Sequence, residues 1–302
     1  MTAILSSIYR LSTGVQAALS CGKPLVALES TVITHGLPYP QNLELARNME
    51  AEVLSQGAFP ATIAMIDGRI QVGLDSGQLE RLAADRQARK ISTRDFAAAA
   101  VQKANGGTTV AGTLVVAGTV GLHVFATGGI GGVHRNAPFD VSTDLEQLAR
   151  TPLVVVCAGA KAILDLPATL EMLETLGVPV IGYQTWEFPA FYSVSSGLPV
   201  SARADSPGEI AQIARSHWSL GLPGAVLVVQ PPPVEAALPV ELIEKAIAQA
   251  LTEAEQAQVR GQAVSPLLLR RVSELTHGES LQANLALLRN NARLAARIAK
   301  EM

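Results

Sequence analysis

Short apolar runs recur along the chain with helix-patterned stretches between them, and this alternation limits the fold more than any other feature. Pro24–Leu28, Ala61–Ile66, Leu122–Thr127, Leu153–Cys157, Val178–Tyr183 and Ala225–Val229 are strand-length segments bounded by turn residues. Strands buried on both faces read as continuous apolar runs, and helices between them supply the crossovers. The pattern predicts an α/β fold around a mixed, largely parallel sheet covered by helices. Asp67-Gly68 predicts a tight hairpin turn between Ala61–Ile66 and Arg69–Gly73. Ser92, Thr93 or Asp95 is the expected cap of the helix beginning at Phe96. Leu114–Thr119 fits a helix and a buried strand equally well. From Pro239 onward the pattern is helical, and Leu281, Leu285, Leu288, Ala292 and Leu294 mark a closing amphipathic helix. Pro231-Pro232-Pro233 is the strongest break, yet the alternation continues on both sides, so residues 1–302 are expected to form a single domain.

Composition removes several function classes. With 48% hydrophobic and 16% charged residues, the chain can bury a sizeable core. Aromatics at 4% leave little for a base-stacking surface, and a net charge of −3 gives no basic footprint, so nucleic acid is not an expected partner. No apolar run is long enough to span a membrane. Cys21 and Cys157 are far apart and form no CxxC pair, which points to neither a disulfide framework nor a thiolate zinc site. With no compact leader pattern near Arg10, the expected location is cytoplasmic.

Several residues carry candidate chemistry. Lys161 is the first long side chain after the Leu153–Cys157 strand, beyond the Ala158-Gly159-Ala160 turn. Ligands meet α/β proteins at the carboxyl ends of strands. A lysine desolvated there can present a free amine, a nucleophile for carbonyl carbons. Its bland alternative is a solvated strand-end lysine. Glu29 ends an otherwise apolar strand, so burial can raise its pKa and let it donate a proton; otherwise it is a capping or paired acid. Lys90 lies with Arg89 and Arg94 in a cluster that suits an anion, or simply a solvated face. Asp140, Ser142 and Asp144 alternate, so their oxygens can share a face toward a divalent cation or sugar hydroxyls. Equally, Ser142 or Thr143 can cap the following helix with Glu146.

Gly129–His134 lacks the last glycine of a dinucleotide fingerprint, and Gly107–Leu114 has Thr113 where a P-loop needs lysine. Gly128, Gly129, Gly131 and Gly132 still offer either a backbone nest for phosphate or close packing.

Taken together, ALESTVITHGLPYPQNLELA, PATIAMIDGRIQVGL, KISTRD, GGTTVAGT, FATGGIGGVHR, DVSTDL, VCAGAKAILDLPATLEMLETLGVPVIGY and ESLQANLALLRNNARLAARIA resemble the pseudouridine-5′-phosphate glycosidase family. They run in family order over nearly the whole chain. The resemblance implies a three-layer α/β/α sandwich, a homotrimer, and reversible cleavage of pseudouridine 5′-phosphate to uracil and ribose 5-phosphate. It also implies a divalent metal, typically Mn2+. By that resemblance Lys161 is the nucleophile, Glu29 the proton donor and Asp140 the metal ligand. Lys90, Val110, Ser142, Thr143 and Asp144 correspond to substrate contacts, and Thr127, His134 and Asn284 fall where the family lines its site. Two stretches depart from the family pattern. The segment between His134 and Asp140 is shorter, and Gln230-Pro231-Pro232-Pro233-Val234-Glu235 stands where Asn-Pro-Ile-Pro-Glu-Glu is usual. A Schiff-base aldolase and a non-catalytic phosphosugar sensor are the rival functions.

Overall fold

The computed structural model describes residues 8–259, 261 and 264–302. Strand β1 (Tyr9–Leu11) leads through helix α1 (Thr13–Ser20) into β2 (Leu25–Leu28). Helix α2 (Gln41–Ser55) then connects to the hairpin of β3 (Phe59–Ile66) and β4 (Arg69–Val72). Next come α3 (Ser76–Ala84), β5 (Arg89–Ile91), α4 (Phe96–Val101), β6 (Gly106–Thr108), α5 (Val110–Val120) and β7 (Val124–Ala126). A small hairpin of β8 (Val133–His134) and β9 (Ala137–Val141) precedes α6 (Thr143–Leu148), β10 (Val154–Cys157), β11 (Leu164–Asp165) and α7 (Leu166–Thr175). After β12 (Val180–Tyr183), β13 (Ala202–Ala204), α8 (Pro207–Ser219) and β14 (Val226–Val229), the chain ends in α9 (Val240–Gln256), α10 (Val264–Leu275) and α11 (Glu279–Ala299).

The main sheet has eleven strands, with the path β1-β4-β3-β2-β7-β10-β14-β12-β13 and the pair β5-β6 joined to β3. From β2 to β13 every neighbouring pair is parallel. Strand β3 is parallel to β2 but antiparallel to β4 and β6, which in turn pair in parallel with β1 and β5. Helices cover the sheet as an α/β/α sandwich. Val154, Val155, Val156 and Cys157 are wholly buried, as are Val226 to Val229, which is why these strands carry no polar alternation. Asp67 and Gly68 both have positive φ (50° and 73°) and close the β3–β4 hairpin with Ile66 opposite Arg69. Ser92 begins the turn before α4 with a reciprocal capping box to Asp95.

The ambiguous Leu114–Thr119 segment is helical. Val110 to Leu114, Val116 and Ala117 are all buried, so α5 has little polar face and no period to read. One continuous apolar core runs from Val15 to Ala299. Its closing member, α11, packs against β2, β7, β10 and α2.

This topology places four carboxyl ends side by side. Glu29 follows β2, Thr127 follows β7, the Ala158–Lys161 turn follows β10, and Gln230 follows β14.

Candidate active site

Glu29 is fixed by its neighbours in sequence. Ser30 donates to the Ile63 carbonyl at 2.5 Å and accepts from the Thr108 amide at 2.9 Å, while Thr31 donates to the Thr108 carbonyl at 2.5 Å. The chain then turns through a short π-helical segment, Val32–Gly36. Glu29 itself is buried, and the Thr127 hydroxyl donates to its carboxylate. Burial raises the Glu29 pKa above the ordinary carboxylate value, with the Lys161 charge and the Thr127 hydrogen bond opposing it. A carboxyl so placed holds its proton longer than one in water.

Lys161 lies half-buried. Its amide donates to the Ile130 carbonyl at 3.0 Å, and its carbonyl accepts from the Leu164 amide at 3.0 Å. Lys90, on β5, stands near enough that its ammonium is destabilised by burial first and then by Lys161, with Asp144 and Glu29 opposing. Arg89 and Arg94 part company with it: Arg89 reaches Gln102 at 2.6 Å, and Arg94 is largely exposed beside Asp95. Two histidines border the cluster. His35 shares a 2.7 Å hydrogen bond with Thr34, and burial followed by the Lys90 charge lowers its pKa. Burial also lowers His134, while Asp140 opposes that shift. Lys90 and Lys161 thus lie within electrostatic reach of Glu29 and of His134, Asp144 within reach of Glu29 and Lys90, and Asp140 within reach of His134.

Of the alternating Asp140, Ser142 and Asp144, the last two meet beside Gly131. Asp140 is exposed on β9. Ser142 caps α6 by accepting from the Asp144 amide at 3.2 Å, Thr143 is exposed, and Glu146 pairs with Arg150 at 2.6 Å. Asp144 is buried, and its two oxygens accept from the amides of Ala111 and Gly131, each at 2.8 Å. It therefore ties the start of α5 to the glycine-rich loop, an acid placed favourably at a helix N-terminus. Val110 is the buried first residue of that helix, and Thr109 caps it through the Gly112 amide at 3.2 Å.

Among the described residues, no group of three His, Cys, Asp or Glu side chains forms a metal cage. A single exposed carboxylate such as Asp140 fits a divalent ion that keeps most of its waters and takes its remaining ligands from substrate oxygens. The donor set does not fit a dry, all-protein site.

Of the two readings of the glycine-rich loop, close packing is the one seen. None of Gly128, Gly129, Gly131 and Gly132 has positive φ. A Cβ on Gly129 would lie 2.5 Å from the Phe191 ring and 2.9 Å from the Gly159 carbonyl. One on Gly131 would fall on the Ser142 hydroxyl and 2.7 Å from Asp144 Oδ2. The loop runs alongside the lysine turn, with the Ile130 amide donating to Gly159 at 3.0 Å and the Ala158 amide to Gly128 at 2.9 Å.

Sequence reasoning missed two supporting residues. Arg135 donates to the carbonyls of Ala162 (2.9 Å) and Leu164 (3.1 Å), clasping the turn after Lys161, and pairs with Glu244 at 2.6 Å. Buried Asn291 on α11 donates to the carbonyls of Thr127 (2.8 Å) and Gly128 (3.3 Å) and accepts from Gln230 at 2.9 Å. The altered Gln230 is thus buried as a partner of Asn291. Asn284 is half-buried two helical turns before Asn291, on the α11 stripe that includes Leu288. The amphipathic pattern of α11 and the family resemblance at Asn284 hinted at this wall; Asn291 gave no signal.

The family model described as indigoidine synthase A like protein matches residues 14–301. A pseudouridine-5′-phosphate glycosidase of Chloroflexus aurantiacus is 55% identical over 97% of this chain and 98% of its own length. One from Caldanaerobacter subterraneus subsp. tengcongensis is 51% identical over 97% and 96%. Among solved structures, the indigoidine synthase A-like protein of Thermotoga maritima superposes with a TM-score of 0.89 at 36% identity, covering 97% of this chain and 95% of that one. The prealnumycin C-glycosynthase AlnA, in complex with ribulose 5-phosphate, gives 0.90 at 39% identity, covering 97% and 96%. With likeness of this depth over almost its whole length, the chain belongs to the pseudouridine-5′-phosphate glycosidase family, within the indigoidine synthase A like proteins.

Proposed function

We propose that the chain reversibly cleaves the C–C glycosidic bond of pseudouridine 5′-phosphate, giving uracil and ribose 5-phosphate. The observation that carries this reading is a buried Glu29 carboxyl with a raised pKa, bonded by Thr127 and facing the charges of Lys161 and Lys90 at one sheet edge. The curated relatives' names and the sugar phosphate in AlnA support the same substrate class.

A carbon leaving group rules out the two-carboxylate hydrolysis of ordinary glycosides as a template. The chemistry instead opens the ribose ring. The Lys161 amine forms a bond to C1′ as the C1′–O4′ pair moves to O4′, which takes the Glu29 proton. The adduct nitrogen returns its extra proton to the Glu29 carboxylate; its lone pair then forms C1′=N while the C1′–C5 pair passes to uracil C5, which takes that proton from Glu29. Water adds to the imine carbon, releasing ribose 5-phosphate and the free lysine. This covalent route divides one high barrier into smaller ones. Lys90 and the segment Ser142–Asp144, with Val110, hold the phosphate and sugar, and Thr127, His134 and Asn284 line the same space. Asp140 would hold the divalent ion, Mn2+ by family resemblance, which when bound supplies Lewis-acid polarisation and orientation. The proposed assembly is a homotrimer. Its proposed site of action is the cytoplasm, where an exposed free thiol such as Cys21 persists.

Uracil release from pseudouridine 5′-phosphate, with and without manganese, is the test; no release at either condition overturns the reading. Borohydride trapping with substrate should label Lys161. The lowered Lys90 makes it the alternative nucleophile, so a label on the Lys90 peptide would move the covalent role there.

A further inference from the structure

Asn291 and Gln230 are almost wholly buried, at 1% and 5% exposure, and neither belongs to the reacting groups described above. We propose that this amide pair is a positioning device that fixes Thr127 so that its hydroxyl points at Glu29. The inference rests on reading Glu29 as the proton donor.

The clamp uses an amide for a chemical reason. The Thr127 carbonyl accepts from Asn291, the Gly128 carbonyl accepts from Asn291 as well as from the Ala158 amide, and Gln230 needs an acceptor. Only a carboxamide offers two N–H donors and an oxygen in one planar group. Gln230 sets which way that group faces, because a flipped Asn291 would aim its oxygen at two carbonyl oxygens. Gln230 is itself anchored, its own amide donating to the Cys157 carbonyl at 3.1 Å. The pair therefore spans the ends of β7, β10 and β14 and the face of α11.

On the other side, the Thr127 amide donates to Val156 at 3.0 Å. Leu287 and Leu288, one turn before Asn291, back Gly128, where an added Cβ would meet Leu288 at 3.1 Å. With its peptide held at the amide and the carbonyl, Thr127 keeps its Cα–Cβ bond aimed into the site, and Glu29 accepts from its hydroxyl. An unclamped threonine is free to turn its hydroxyl away, and the buried acid then loses its Thr127 donor. The other groups facing Glu29 are Lys161 after β10, Lys90 on β5 and Asp144 on α6.

Thr127→Val, Asn291→Ala and the double variant test the device through kcat, KM and the pH profile of uracil release. Each single variant should lower kcat about tenfold or more, with KM within about twofold, as expected for loss of an interaction made in the transition state. The Thr127 hydrogen bond lowers the Glu29 pKa, so its loss moves the alkaline limb of kcat to higher pH in both variants. Because both act on one contact, the double variant should be no more than about threefold worse than the poorer single one. A residue serving only to hold the fold would lower the melting temperature and leave the limb where it was. An unmoved limb, or multiplicative losses, in an otherwise active enzyme overturns the clamp alone. An inactive wild type overturns the assignment of Glu29 and the clamp with it. Should Asn291→Ala fail to fold, Gln230→Met removes only the partner that orients Asn291. It should lower kcat several-fold with the same limb shift, and an unchanged profile overturns the proposal.

Discussion

A carboxyl buried at the end of a parallel strand destabilises the fold when it ionises, and Glu29 is in that position. Its folded pKa lies above the ordinary 4.5, so the native state binds more protons than the unfolded chain between that value and the folded pKa. The stability associated with the neutral group is present below the unfolded pKa and is lost as pH rises through the folded one. Glu29→Gln should therefore lower kcat by about 10² to 10⁴, the usual contribution of an acid–base group. The same variant should melt higher than wild type at pH 8, with a smaller gain at pH 4.5. A variant no more stable than wild type at pH 8 would show that burial is not what governs this group. The two cysteines divide in the same physical way. Burial pushes the Cys157 thiol up to about 12, whereas Cys21 is exposed. Iodoacetamide at pH 8 should alkylate Cys21 and leave Cys157 unmodified in the native protein, because the thiolate is the reactive form. Labelling of Cys157 before unfolding would contradict its burial. Glu29 and Lys161 were visible in the sequence because each interrupts an apolar segment at a strand end. Asn291 was not, since its meaning lies in a contact 164 residues away.

At the level of elements, patterns with a period were legible and contacts without one were not. The hairpin at Asp67-Gly68 and the closing helix α11 follow from local chemistry. The helical state of α5 does not, because a helix buried on nearly every side has no stripe to detect. The glycine-rich loop gave no local basis for choosing a phosphate nest or close packing, and the neighbours decide it. At Gly131 those neighbours are Ser142 and Asp144, and Asp144 is already committed to the Gly131 and Ala111 amides. Gly131→Ala should force this junction apart, costing about 1 to 3 kcal/mol as overpacking does. Chemical denaturation should show a lower midpoint at unchanged slope, and turnover should fall because α5 and the loop share the Asp144 tie. A stable, fully active Gly131→Ala would mean that the junction yields without consequence.

Across the whole molecule, alternating runs were enough to predict a largely parallel sheet, yet not its order. β2 lies beside β7, and β10 beside β14, although long stretches of chain separate each pair. That order is what brings Glu29, Thr127, Lys161 and Gln230 to one edge, so the separate candidates became one site only in three dimensions. The same convergence concentrates Lys90 and Lys161 in a chain whose net charge is −3, so attraction for an anionic substrate must come from this local cluster. Raising monovalent salt from about 0.01 to 0.15 M shortens the screening length from roughly 30 to 8 Å. If Lys90 receives the phosphate beside Lys161, kcat/KM for pseudouridine 5′-phosphate should fall several-fold over that range, with kcat nearly constant once substrate is bound. Pseudouridine without the phosphate, whatever its poorer rate, should show a much flatter salt dependence. Parallel slopes for the two substrates would place phosphate recognition outside the Lys90–Lys161 cluster.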